Sequence, residues 1–191
     1  KPEDIKQTIH DIRKLTAKPF SVNLFCVESG DEPDDRRKDE VKNELLRIGR
    51  DLGVSESDIQ FNAADYFDEQ FQVLIEEKVP VISTAFGLLS EDKVKQAKEN
   101  GVIITSMITT VEEAILAERN GADIIIAQGS DAGGHRSTFD LTHHNNGADI
   151  GTFSLVPQVV DNVKIPVVAA GGVNDGRSLA AALLLGAAGV Q

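Results

Sequence analysis

From residue 128 to 135 the chain reads Gln-Gly-Ser-Asp-Ala-Gly-Gly-His, three glycines and one imidazole in eight positions. Glycine carries no Cβ, so Gly133 and Gly134 let a flat ring or a phosphate lie against bare backbone. Gln128 offers a donor and an acceptor together, which suits the edge of a heterocycle. The His135 imidazole, with an ordinary pKa near ~6.5, fits proton abstraction at neutral pH; the plainer alternative is a histidine that ties its loop by a hydrogen bond. A second bare stretch, Gly171-Gly-Val-Asn-Asp-Gly-Arg177, leads into a helix opened by Asn174 or Asp175. Such a helix start is expected to turn unpaired N–H groups, with Gly171 and Gly172 beside them, toward an anion such as a phosphate. His143 and His144 stand near Asp140 and Asp149, but the spacing matches no common zinc pattern and Asn145-Asn-Gly147 marks an exposed turn. No metal site is expected there, and His10 on an early amphipathic helix is expected to be structural.

These loops need a frame, and a repeat supplies it. Helical stretches end in glycine and run straight into apolar strands at Gly101-Val-Ile-Ile, Gly121-Ala-Asp-Ile-Ile-Ile and Gly186-Ala-Ala-Gly-Val. A second echo, Lys18-Pro-Phe, Lys78-Val-Pro and Lys164-Ile-Pro, puts proline at a strand entrance, where no ladder bond is lost. The pattern predicts strands near 20–26, 80–85, 102–107, 122–127, 166–170 and 188–191. It predicts helices near 3–16, 38–52, 66–77, 90–100, 110–120, 153–162 and 175–185. Strict alternation means parallel strands, in a doubly wound sheet or a barrel. No G-x-G-x-x-G follows the first strand, and the informative loops follow several different strands, which is the habit of a (β/α)8 TIM barrel. Six strands do not close a barrel of eight. The expectation is therefore one incomplete barrel domain over 1–191, with two strands and a closing tail outside the chain, and a charged, solvated loop over 28–39.

Composition narrows the partners. A net charge of -12 argues against nucleic acid and anionic membranes, which need clustered Lys and Arg. Residues 101–191 hold 9 of the 31 acidic and 4 of the 19 basic residues, so the second half is expected to be more buried and to carry any apolar pocket. The single cysteine, Cys26, lies in an apolar run and is expected to be an inert core thiol in a reducing compartment. No run approaches a membrane span and the first residues lack a signal-peptide core, so a soluble, cytoplasmic protein is expected.

Three segments together resemble the nitronate monooxygenases, formerly called 2-nitropropane dioxygenases. They are Pro19-Phe-Ser-Val-Asn-Leu-Phe25, Gln128-Gly through Asp131-Ala-Gly-Gly-His-Arg136, and Ala169-Ala-Gly-Gly-Val-Asn-Asp-Gly-Arg177 running on to Gln191. The resemblance covers nearly the whole chain. It implies an FMN-dependent TIM-barrel enzyme that oxidises alkyl nitronates with O2. It matches Asn23, Gln128, Gly133 and Gly171 or Gly172 to flavin-binding positions, and makes Gln191 the start of a last phosphate-binding loop. It gives His135 the role of base toward a nitroalkane α-proton, or of hydrogen-bond partner to the nitronate. Ser137 stands where the family more often has Gly, and Asp131 where Glu is usual; both changes touch the substrate mouth. The nearest alternative is a flavin-dependent enoyl-ACP reductase, which would need NAD(P)H and a carrier protein. A non-catalytic phosphate-ligand-binding barrel is the alternative of another class. A homodimer is compatible with the sequence.

Overall fold

The computed structural model describes residues 1–27, 35–59, 65–142 and 146–191. They fall into two compact units, one made of Lys1–Val27 with Phe67–Gln191 and the other lying within Glu28–Tyr66. The larger unit alternates helix and strand throughout. In chain order it runs α1 (Pro2–Leu15), β1 (Ser21–Phe25), α3 (Phe67–Glu76), β2 (Val81–Ala85), α4 (Glu91–Glu99) and β3 (Ile103–Ile108). It continues with α5 (Val111–Asn120), β4 (Ile124–Gln128), α6 (Thr152–Asn162), β5 (Val167–Ala170), α7 (Gly176–Leu184) and β6 (Gly189–Val190). The smaller unit holds α2 (Asp35–Asp51) and a 3-10 turn at Glu56–Asp58.

The six strands form one sheet in the order β1-β2-β3-β4-β5-β6, and every neighbouring pair is parallel. A doubly wound sheet reverses its strand order at a switch point. None occurs here, so the six strands are consecutive staves of a (β/α)8 barrel. Each predicted strand and helix of the larger unit is present, with ends shifted by one or two residues. One expectation is corrected in the smaller unit. Helix α2 starts at Asp35, inside the stretch 28–39 expected as a loop, and an Arg36–Glu40 pair one turn apart supports it; residues 28–34 lie outside the described part.

Alternation along each strand sorts the side chains. The outward positions pack under the helices in two apolar clusters. One gathers Leu24, Ile82 and Ile104 with Phe71 and Leu74 of α3; the other gathers Ile125, Val167 and Ala169 with Leu155, Val156 and Val159 of α6. Cys26 belongs to the first, and burial pushes its thiol up to about 12, so it stays an unreactive thiol as expected. The opposite positions, such as Ser21, Asn23 and Phe25 of β1 and Ser83 and Ala85 of β2, face a cavity instead. His10 joins Lys6 and Arg13 of α1 around Glu77, which joins α1 to the end of α3 and bears out its structural reading.

Candidate functional site

Two adjoining cavities lie at the sheet's inner face. The larger, about 700 Å3, has Asn23, Phe25, Phe86, Met107 and His135 on its wall. The smaller, about 340 Å3, is bounded by Asp131, Ala132, Gly171, Gly172 and Val173. Gln128, Gly133 and Gln191 border both. The fold thus brings together the predicted residues from β1, β4, the loops after β4 and β5, and the end of β6, apart from Gly134, which borders neither cavity. Its φ of +80° accounts for glycine at that position. The pocket was expected in the second half of the chain, but β1 and β2 supply much of the wall, because barrel strands distant in sequence face one interior.

The loop after β4 is held by its own strand. Gln128 is the last residue of β4 and is buried; its Nε2 donates to the His135 carbonyl at 2.8 Å, and its Oε1 accepts from the Ser137 N–H at 2.8 Å. A carboxamide has two N–H groups and two lone pairs, so one of each remains for a ligand. Arg136 Nη1 donates to the carbonyls of Gln128 and Gly129, closing the loop back on the strand. It is therefore the backbone of His135 that ties the loop. Among the described residues its ring makes no hydrogen bond; it meets Phe86 edge-on, with centroids 6.1 Å apart.

Farther along, the same loop is fastened to the turn between β3 and α5. Glu113, 7% exposed, is the third residue of α5, and its Oε2 accepts from the N–H groups of Thr109 and Thr110 and from the Thr109 hydroxyl. Its Oε1 accepts from the Phe139 N–H at 2.7 Å. The hydroxyls of Thr109 and Thr138 are 2.8 Å apart, and Thr138 Oγ1 accepts from the Ala148 N–H. Because the Thr109 proton goes to Glu113, the Thr138 proton must go to Thr109. Glu113 accepts at every one of these contacts. The sequence reading missed Glu113, although Thr110-x-x-Glu113 is a capping box and could have flagged it.

At the other end of the loop, Asp131 accepts from the N–H and hydroxyl of Thr152 at the start of α6. The Thr152 backbone bond, then its side-chain bond, hold the Asp131 carboxyl below its ordinary 3.8. A depressed pKa stabilises the folded state at pH values above the unfolded one and is lost as pH falls through the folded one. The contact is therefore expected to survive at pH 3.8 and open only below it. An NMR titration of the Asp131 carboxyl against the Thr152 amide checks this; release at or above pH 3.8 would contradict it.

The second bare loop differs from expectation in one respect. Asp175 caps α7 and takes the N–H groups of both Arg177 and Ser178, so two donors of that helix start are already used by a carboxylate. The N–H groups of Gly172, Val173 and Gly176 meet no acceptor among the described residues, so free donors sit on the turn before the helix as well as at its first residue. Gly171 takes φ +115°, and a Cβ there would come within 2.7 Å of the Ala132 nitrogen, so the two loops interlock through glycine.

Two observations bear on whether an organic cofactor fits. Gly133 is not among the left-handed glycines, and a Cβ built on it would meet no protein atom. Neither a left-handed backbone nor protein packing requires glycine at this wall position, and the open space in front of it leaves room for a flat group. Thr105 lines the larger cavity, and its Oγ1 is buried without a hydrogen-bond partner among the described residues. The residues present fit a flat, polar-edged group with an anionic tail. Among the described residues no cluster could hold a metal ion; His143 and His144 lie outside them.

Interlocked glycine loops gathered around a cavity at the strand ends are the architecture of the (β/α)8 barrels, whose active sites lie at the C-terminal face. The chain belongs to the nitronate monooxygenase family, whose model matches residues 1–191. It is 41% identical over 187 residues to a probable nitronate monooxygenase of Staphylococcus haemolyticus, covering 98% of this chain and 52% of that protein. A Staphylococcus saprophyticus relative of the same description is also 41% identical, over 192 residues, covering 98% and 52%. Among solved structures, nitroalkane oxidase from Streptomyces ansochromogenes superposes with a TM-score of 0.84 at 34% identity, over 100% of this chain and 54% of its own. FabK from Thermotoga maritima gives 0.69 at 32% identity, over 100% and 46%. The chain spans about half the length of the curated relatives it matches. No helix among the described residues is long and apolar enough to cross a membrane.

Proposed function

We propose that the protein is an FMN-dependent monooxygenase that converts alkyl nitronates and O2 to a carbonyl compound and nitrite. The observation that carries this reading is the shared wall on which the bare Gly133 backbone and the unbonded His135 ring border one cavity. Bound FMN would supply the oxidation of the nitronate and deliver the electrons to O2. The protein's part is seating and proton handling. Gly133 leaves room for a flat ring, and Gln128 keeps one N–H and one lone pair for its edge. The N–H groups of Gly172 and Val173 are suited to the phosphate, with Gly171 holding that turn against Ala132. Asn23 and Gln191 complete the wall on either side. His135 accepts the α-proton of a neutral nitroalkane, or hydrogen-bonds an oxygen of a nitronate that arrives already deprotonated. Family membership and the nitroalkane oxidase neighbour support the choice of substrate. The acidic charge and the reduced Cys26 favour a cytoplasmic protein that engages small molecules, as a monomer or a homodimer.

Purified full-length protein is expected to be yellow with bound FMN and to consume O2 with propionate 3-nitronate. A colourless protein that FMN cannot reconstitute overturns the flavoenzyme reading. Steady NAD(P)H oxidation with a crotonyl thioester, without O2 uptake on nitronate, would assign an enoyl reductase instead.

A further inference from the structure

Phe86, directly after β2, is one of two non-glycine residues among those described that have a positive φ, at +67°. A bulky side chain rarely adopts that conformation unless its surroundings hold it there. Here the Phe86 N–H donates to the Ser137 hydroxyl at 2.9 Å, and the hydroxyl donates on to the Met107 carbonyl at 3.2 Å. Ser137 is 1% exposed and is itself fixed through its N–H by Gln128. One buried hydroxyl thus joins the ends of β2 and β3 to the loop after β4. The ring it fixes stands edge-on to Phe25, with centroids 5.0 Å apart, and edge-on to His135, with centroids 6.1 Å apart. All three rings border the larger cavity, so the imidazole sits beside an aromatic wall.

We propose that Phe86 is the specificity residue for the hydrocarbon chain of the substrate and that Ser137 is the positioning residue that sets it. The inference rests on the nitronate reading and adds to it the part of the substrate that is recognised. A nitronate whose polar end meets His135 must direct its carbon chain along a neighbouring surface, and the adjoining surface is apolar. Each methylene buried there contributes about 0.8 kcal/mol, so kcat/KM is expected to rise roughly 4-fold per carbon over the lengths that reach Phe86.

The test is the slope of log kcat/KM against chain length for a series of linear alkyl 1-nitronates, measured on the full-length holoenzyme. Phe86→Ala and Ser137→Ala are each expected to flatten the slope to less than 2-fold per carbon. Because Ser137 acts through Phe86, the double variant should be no flatter than Phe86→Ala alone. Amide hydrogen exchange at Phe86 should quicken in Ser137→Ala, a readout independent of turnover, and Phe86→Leu, which keeps an apolar chain, should restore part of the slope. A wild-type slope near zero, an unchanged slope in Phe86→Ala, or additive effects in the double variant overturns the inference while wild-type activity on nitronate keeps the functional reading intact. No wild-type O2 uptake with any nitronate overturns both.

Discussion

Replacing His135 with asparagine is expected to lower kcat/KM for neutral nitroalkanes by about 100- to 10,000-fold, the range over which a positioned general base accelerates proton transfer. Activity on preformed nitronates should fall less, within about 10-fold, because no carbon proton remains to be removed. Asparagine keeps a donor for a nitronate oxygen but has no basic nitrogen. The loop should keep its shape, since Gln128 holds the backbone carbonyl of residue 135 and the ring ties nothing among the described residues. Steady-state kinetics with both substrate forms decide the matter. An equal loss on both would leave His135 a binding role and exclude the base.

The second large effect is expected at Glu113. Replacement by alanine strands the N–H groups of Thr109, Thr110 and Phe139 and the Thr109 hydroxyl in a buried site. A buried donor left unsatisfied costs about 1–3 kcal/mol, and partial repair by water brings the expected total to roughly 3–5 kcal/mol. Urea denaturation followed by far-UV circular dichroism measures it. Glu113→Gln tests the direction of the network more finely. An amide has one acceptor end, so its NH2 must point at a donor, either at Phe139 or at the Thr109–Thr110 turn. A loss below about 1 kcal/mol for both variants would mean that the carboxylate is dispensable to the fold.

The repeat of helix, glycine and strand made the frame of the larger unit legible, because a glycine after α4, α5 and α7 and an apolar run after each leave little choice of element. The glycine loops of the candidate site were legible for a similar reason, since Gly133, Gly171 and Gly172 announce stretches of bare backbone, and the structure places all three on the cavity walls. Less of the rest could be read. The capping role of Asp175 turns on whether its carboxylate reaches Arg177 and Ser178, which residue type alone leaves open between Asn174 and Asp175. The left-handed turn at Phe86 is imposed from outside by Ser137, fifty-one residues along the chain, and no local pattern announces it. The expectation that the apolar pocket sits in the second half held only in part: residues 101–191 supply most of the wall, but β1, β2 and Phe86 supply the rest, because charge counts report the outer surface whereas the cavity wall belongs to the inner face of the strands.

The strand order also bears on how the molecule is made. Every strand pairs with the one preceding it in the chain, so each new β/α unit docks on the unit just completed and long excursions of the polypeptide are few. Such neighbour-to-neighbour pairing favours stepwise growth of the sheet during synthesis. The cavity follows another schedule. Its wall runs from Ser21 to Gln191, so the chamber forms only when the last of these staves is in place, and a nascent chain holds its core well before it holds its site.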